Sequence, residues 1–263
     1  MNNITFVTGW YNLKSKFDIK IYEKWISFFL KDISLFYLVI YTNKESYNVI
    51  KPYINNPNIK VIFKEFEEFF CNRFDWINNH KKNHLLNENS KFNTDWRLNM
   101  LWNEKIYFLN DVIKNKVFDT EFYGWCDIGY FRTNNNIIKN WPNYNKVNNL
   151  EKDKIYYAKI NQDINKLCRY VLDKNEYNLP KIPIPSNQVS FAGGFFILHK
   201  DKYNWWRNTY YKTLTNYFKY DYLIKDDQII LLDCIISNLK EFKIIQETNH
   251  HHDPWFVFQN YLL

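Results

Sequence analysis

Three short apolar runs limit what this chain can fold into more than any other feature: Ile4 to Thr8 (ITFVT), Leu35 to Thr42 (LFYLVIYT) and Ile59 to Phe63. Their β-branched and aromatic content reads as strands buried on both faces. Between the first two, Ile19, Tyr22, Ile26, Phe29, Leu30 and Ile33 recur at helical spacing, and a further helix is expected around Ser46 to Ile54. Continuous apolar strands alternating with amphipathic helices specify an α/β fold, with a mainly parallel sheet covered on both faces. Ligands of such sheets bind beyond the carboxyl ends of the strands, which makes Thr8-Gly9-Trp10 a candidate wall of a site. No repeat, low-complexity stretch or Pro/Gly linker divides the chain, so a single domain over residues 1–263 is expected.

Composition removes several functions. Aromatic residues make up 20% of the chain (Trp 10, Tyr 21, Phe 22), yet only 5 residues are Gly. A dinucleotide fingerprint or a Walker loop each needs several glycines within a few residues, so both are excluded. The formal charge of +7 favours anionic ligands. The Lys and Arg residues are interspersed with Asp and Glu, which argues against a nucleic-acid partner. Cys71, Cys126, Cys168 and Cys234 show neither a C-x-x-C pair nor Cys/His ligand spacing, so no structural zinc or disulfide framework is expected. The start MNNITFVTGWYN lacks the pattern of a signal peptide, and the longest apolar run, near Leu35 to Tyr41, is too short to span a bilayer. A cytoplasmic location is the corresponding expectation.

Residues 66–93 are polar and irregular and read as a mobile loop. A helix follows from Asp95 to Asn115, with Thr94 as N-cap and Asp95 at the positive end of its dipole. Leu98, Leu101, Trp102, Ile106, Leu109, Val112 and Ile113 form its apolar stripe. Lys105 falls inside that stripe. It is either a snorkelling lysine or a cation held against an anionic ligand or a site carboxylate.

Four clusters carry candidate chemistry. Glu121 to Arg132 (EFYGWCDIGYFR) is an aromatic strand that delivers Asp127, followed by Gly129 and Arg132. A carboxylate at the end of a buried strand is costly unless a cation or hydrogen bonds satisfy it. Ser190 to Phe196 (SFAGGFF) contains Gly193 and Gly194, where a backbone can approach a ligand closely. Asp226-Asp227-Gln228 opens an amphipathic helix, where acidic residues serve as caps and dipole partners or as site carboxylates. Last come His250-His251-His252-Asp253-Pro254-Trp255, of which one or two histidines suit a divalent ion together with a carboxylate.

The order of these motifs resembles a GT-A glycosyltransferase. Trp125, Asp127, Gly129, Tyr130 and Arg132, after a helix carrying Trp102 and Lys105, resemble the WlaTC/HtrL (YibB) family of glycosyltransferase-like proteins over most of the chain. The Asp-Gln and His…Pro-Trp elements are similar to those of family 8 glycosyltransferases, which use a nucleotide-diphosphate sugar and Mn²⁺. Two features depart from the pattern: Asp-x-Asp has become Asp127-Ile128-Gly129, and Lys-Pro-Trp has become Asp253-Pro254-Trp255.

The resemblance implies a GT-A-type sheet, with a nucleotide-sugar half to about residue 132 and an acceptor half and tail over about 133–263. The implied reaction moves a hexose-type sugar from a UDP-sugar to a glycan or other hydroxyl acceptor. Asp127 with His250 or His252 would hold Mn²⁺ or Mg²⁺. Thr8, Gly9, Lys105, Arg132, Gly193 and Gly194 would bind the donor, and Asp227, Asp226 and Gln228 would face the reacting sugar. The alternatives are a non-catalytic sugar-binding or scaffold protein of the same fold and, further off, a nucleic-acid-binding protein.

Overall fold

The computed structural model describes residues 2–88, 91–133, 137–161 and 163–263. In chain order the elements are β1 (Ile4–Trp10), α1 (Ile19–Leu30), β2 (Tyr37–Thr42), α2 (Tyr47–Ile50), β3 (Ile59–Phe63), α3 (Phe74–Leu86), α4 (Arg97–Lys114), β4 (Phe122–Cys126) and α5 (Tyr144–Asn148). They continue with β5 (Ile155–Lys159), α6 (Asn165–Leu172), β6 (Phe191–His199), α7 (Tyr203–Lys219), α8 (Asp227–Ser237), β7 (Phe242–Gln246) and α9 (Val257–Tyr261).

The strands of the described residues form one seven-stranded sheet in the order β3-β2-β1-β4-β6-β5-β7. Every neighbouring pair is parallel except the two made by β6, which runs against both β4 and β5. This is the mixed, mainly parallel α/β sheet flanked by helices that the apolar runs specify. From β1 the chain steps outward through β2 and β3, then crosses back to place β4 on the other side of β1. That reversal opens a crevice at the carboxyl ends of β1 and β4.

Alternate residues of each strand feed two cores. Val7, Val39, Tyr123, Trp125, Phe196 and Leu198 pack with residues of α4, α7 and α8 on one face. Phe6, Leu38, Phe122, Phe195 and Ile197 pack with Ile26 and Phe29 of α1, Trp141 and Phe258 on the other. The C-terminal segment docks here: Val257, Phe258 and Leu262 are buried, each contributing about 1.5–3 kcal/mol. Trp141 Nε1 donates to the Phe258 carbonyl at 2.9 Å. Among the described residues no helix is long and apolar enough to cross a membrane.

Three local expectations change. The helix expected around Ser46 to Ile54 is one α-turn, α2, running into a 3₁₀ turn over Lys51–Tyr53, where Pro52 lacks an N–H donor. The segment read as a mobile loop contains α3, a 13-residue helix. Its inward face is Trp76, His80 and Asn83, all buried, so two of three positions are polar and no apolar period marks it. At the start of α4 it is the Asp95 carboxylate that accepts from the Arg97 amide at 2.8 Å, while its side chain also pairs with the Arg97 guanidinium. The helix starts at Arg97, so the N-cap position falls on Trp96 and not on Thr94.

Candidate active site

The site is assembled from four elements at the crevice. The β1–β4 register pairs Val7 with Trp125; two residues farther along each chain are Gly9 and Asp127. The Asp127 amide donates to the Gly194 carbonyl at 2.8 Å, carrying the β4–β6 ladder one step past the strand, and the Tyr130 amide returns to the Asp127 carbonyl at 2.9 Å in a turn. Trp125 and Asp127 alternate onto the same face, and the indole N–H donates to Asp127 Oδ1 at 2.6 Å.

Lys105 reaches this point from the middle of α4. Its ammonium donates to the Gly193 carbonyl at 2.9 Å and to Asp227 Oδ2 at 3.1 Å, and lies 3.4 Å from Asp127 Oδ1. It also sits 5.6 Å from the Trp125 ring centroid. The Lys105 side chain is only 6% exposed, whereas that of Asp127 is 45% exposed. Asp127 thus forms the open side of the cluster and Lys105 its floor. Of the two readings of Lys105, the structure realises the held cation. A buried ammonium needs such partners: burial pushes its pKa down, and Asp127 and Asp227 more than offset this, leaving it raised.

Asp227 is the first residue of α8 and is buried. Burial raises its pKa, and the facing Lys105 pulls against that rise. Asp226 is the N-cap of α8 and accepts from the Gln228 amide at 3.2 Å, with Lys225 at 3.7 Å. Burial pushes Asp226 up to about 6. The approach to α8 is fixed by amides of α3 and α4: Asn83 accepts from the Ile224 N–H, and Asn99 donates to the carbonyls of Ile224 and Lys225. The helix that looked like a loop in sequence therefore helps to place Asp227.

Gly193 and Gly194 make room for these carboxylates. A Cβ at Gly193 would overlap both Asp227 oxygens, and one at Gly194 would lie 2.9 Å from Asp127 Oδ2. At Gly129 a Cβ would come within 2.9 Å of the Trp25 ring, so packing keeps the position without a side chain. Gly9 faces Trp125, and the neighbouring Thr8 hydroxyl is buried with no hydrogen-bond partner among the described residues. Arg132 lies among three aromatic rings, 4.4 Å from Trp25, 4.9 Å from Phe256 and 5.4 Å from Phe17, and donates to the Gly129 carbonyl at 3.2 Å. The Gln228 side-chain oxygen is buried with no hydrogen-bond partner among the described residues.

A cavity of about 1170 Å³ lies elsewhere, lined by residues including Trp76, Tyr107, Lys174, Arg207 and Tyr217. None of Lys105, Asp127 and Asp227 lines it; its charged lining is Arg73, Lys174, Arg207, Lys212, Lys219 and Asp233, of which Lys174 pairs with Asp233.

The family described as "Bacterial protein of unknown function (HtrL_YibB)" matches residues 3–260. The chain belongs to the HtrL_YibB family. No curated protein matches it. Among solved structures, this HtrL_YibB chain is similar to a galactosyltransferase, LgtC, in complex with donor and acceptor sugar analogues: 11% identity, 98% of this chain and 84% of that chain covered, TM-score 0.48. It is also similar to 4-diphosphocytidyl-2C-methyl-D-erythritol synthase from Anaerococcus prevotii DSM 20548, with 12% identity, 99% and 98% coverage and a TM-score of 0.40. Neither likeness carries a statement about activity.

The metal shell expected of this HtrL_YibB protein is not brought together. Asp127 Oδ1 is engaged by Trp125 and Lys105, and the place between Asp127 and Asp227 is filled by an ammonium. His250, His251 and His252 are exposed on the segment between β7 and α9. His252 Nδ1 bonds the Asn260 amide at 3.0 Å and lies 3.5 Å from Glu247. Among the described residues no group of three or more His, Cys, Asp or Glu is placed to hold a metal ion. The donor set present does not fit a divalent metal. Sequence reasoning also passed over two working parts: the Trp125 N–H, signalled by the W-x-D spacing, and the amides of Asn83 and Asn99, signalled only by polar residues at core-facing positions.

Proposed function

We propose that this protein is a glycosyltransferase that moves a hexose-type sugar from a nucleotide-diphosphate sugar, with UDP as the favoured nucleotide, to the hydroxyl of a glycan or other acceptor. The observation that carries this reading is a buried lysine between two carboxylates at the switch point of a mainly parallel sheet. Such a crevice is where α/β sheets bind ligands. The motif resemblance through Trp125, Asp127, Gly129, Tyr130 and Arg132 supports it.

The chemistry needs positive charge where the diphosphate leaves and a carboxylate where the acceptor is deprotonated or the sugar cation develops. Lys105 and Arg132 are the cations of the crevice, and Arg132 can bind two phosphate or hydroxyl oxygens at once. Asp227 faces the sugar, as base for the acceptor hydroxyl in an inverting reaction or as stabiliser in a retaining one. Asp226 caps the helix that presents Asp227, with Gln228 beside it. Thr8 and Gly9 wall the nucleotide side, with Gly193 and Gly194 beneath the carboxylates.

The test is a panel of nucleotide sugars read by thermal shift and by release of free nucleotide, with Asp227→Asn as control. Stabilisation by one nucleotide, with release that the variant loses, supports the transferase. Stabilisation without release in any acceptor mixture supports the sugar-binding alternative, and a panel with no response removes both.

A further inference from the structure

We infer that this site works without a divalent metal, because the ammonium of Lys105 occupies the cation position between Asp127 and Asp227 and supplies there the positive charge that a metal would bring near the donor's diphosphate. The inference rests on the glycosyl-transfer reading above. Three observations carry it. The ammonium stands 3.4 Å from one carboxylate and 3.1 Å from the other, so a divalent ion entering between them would meet a fixed like charge. Lys105 has little freedom to withdraw, since it is buried under the Trp125 ring and anchored on the Gly193 carbonyl. The second carboxylate of an Asp-x-Asp pair is excluded by packing, because any side chain at residue 129 would run into Trp25.

As the bond from the sugar carbon to the diphosphate oxygen breaks, its electron pair stays on that oxygen, where the ammonium offsets the new charge. The acceptor oxygen forms the new bond to carbon, and its proton leaves to Asp227 in the inverting case or to the departing phosphate in the retaining case.

The experiment is calorimetry of the full-length protein with UDP and with inorganic pyrophosphate, in EDTA and in Mn²⁺. The expected result is a Kd for UDP unchanged within about twofold between the two conditions. Lys105→Met should weaken metal-free binding about tenfold or more, as expected for loss of a charged hydrogen bond. Lys105→Ala should acquire Mn²⁺ binding that the unaltered protein lacks, read by electron paramagnetic resonance without nucleotide. Binding of UDP that requires Mn²⁺ in the unaltered protein overturns this inference and leaves the transferase reading standing. Absence of UDP and pyrophosphate binding in both conditions overturns both. Should Lys105→Met not fold, the comparison of EDTA with Mn²⁺ on the unaltered protein still decides.

Discussion

The indole N–H of Trp125 donates to Oδ1 of Asp127 at 2.6 Å, binding two residues that alternate onto one face of an extended chain. A charge-assisted bond of this kind is stronger than a neutral one and fixes the carboxylate rotamer. The same Asp127 oxygen faces Lys105, so Trp125 and Lys105 hold it together. Trp125→Phe keeps the ring and removes the donor. It is expected to fold normally by near-ultraviolet circular dichroism while nucleotide release drops roughly ten- to a hundredfold, the scale of a small misplacement at a reacting centre. Unchanged release would show that Asp127 is held well enough by Lys105 alone.

Asp226 and Asp227 are adjacent, but the structure gives them different work. Asp226 accepts from the Gln228 amide as the N-cap of α8, and Asp227 pairs with Lys105. Asp226→Ala should therefore lower stability by about 1 kcal/mol with little change in turnover. Asp227→Asn should cost roughly a hundredfold or more in turnover. Denaturant melts together with donor-hydrolysis rates separate the two, and similar rate losses for both variants would contradict the assignment.

The glycines divide in the same way. Gly193→Ala would drive a Cβ into the Asp227 carboxylate, which Lys105 holds in place, so the effect should fall on the site: nucleotide binding weakened about tenfold. Gly124→Ala would place its Cβ 2.5 Å from the Phe196 carbonyl oxygen, in the middle of the β4–β6 ladder. That oxygen belongs to the backbone and cannot swing aside, so the expected loss is in stability, about 1–3 kcal/mol as for overpacked cores. Thermal melts and calorimetry on the two proteins should therefore show opposite profiles.

The strands β1, β2 and β3 and the helix of Lys105 were legible because their buried faces are written in apolar residues at the proper period. Asp127 and Asp227 were legible as carboxylates at the end of a strand and at the start of a helix, and Gly193 and Gly194 as two of only 5 glycines, inside β6. The pairing of Lys105 with Asp227 spans 122 residues and no local pattern encodes it. The helix α3 was hidden because His80 and Asn83 face inward: its buried face is polar, with His80 Nδ1 bonded to Asn99 of α4 and Asn83 accepting from the Ile224 amide ahead of α8. On α4 the same holds for Asn99, Asn103 and Glu104, which are buried among residues of the apolar stripe. The histidines were read as near the sheet because the tail docks, and it does. The docking residues are Val257, Phe258 and Leu262, while His250 to His252 stay in solvent. Truncation before Asn249 would strip those three apolar residues from the core, so substitutions of the single histidines, not truncation, test their role.

The buried histidine of α3 gives the protein a pH dependence of definite sign. His80 Nδ1 lies 2.9 Å from Asn99 Oδ1, while the Asn99 amide nitrogen donates to two carbonyls, which leaves the oxygen for His80 and makes Nδ1 the protonated nitrogen. Burial lowers the His80 pKa from 6.5 to about 4, outweighing the hydrogen bonds to Asn99 and to the Cys71 backbone. The unfolded chain thus takes up a proton first on acidification, and stability present above pH 6.5 is lost as the pH falls toward 4. Between pH 7 and pH 5 this amounts to about 2 kcal/mol. Glu104 works in the opposite direction: burial raises it to about 7, so its contribution is lost as the pH rises from 4.5 through 7. The two slopes partly cancel in the unaltered protein, and removing one should reveal the other. His80→Gln, which keeps an amide donor for Asn99, should therefore gain about 2 kcal/mol relative to the unaltered protein when both are taken from pH 7 to pH 5. Urea titrations at the two pH values measure this, and equal changes in the two proteins would mean that His80 is not the group that titrates.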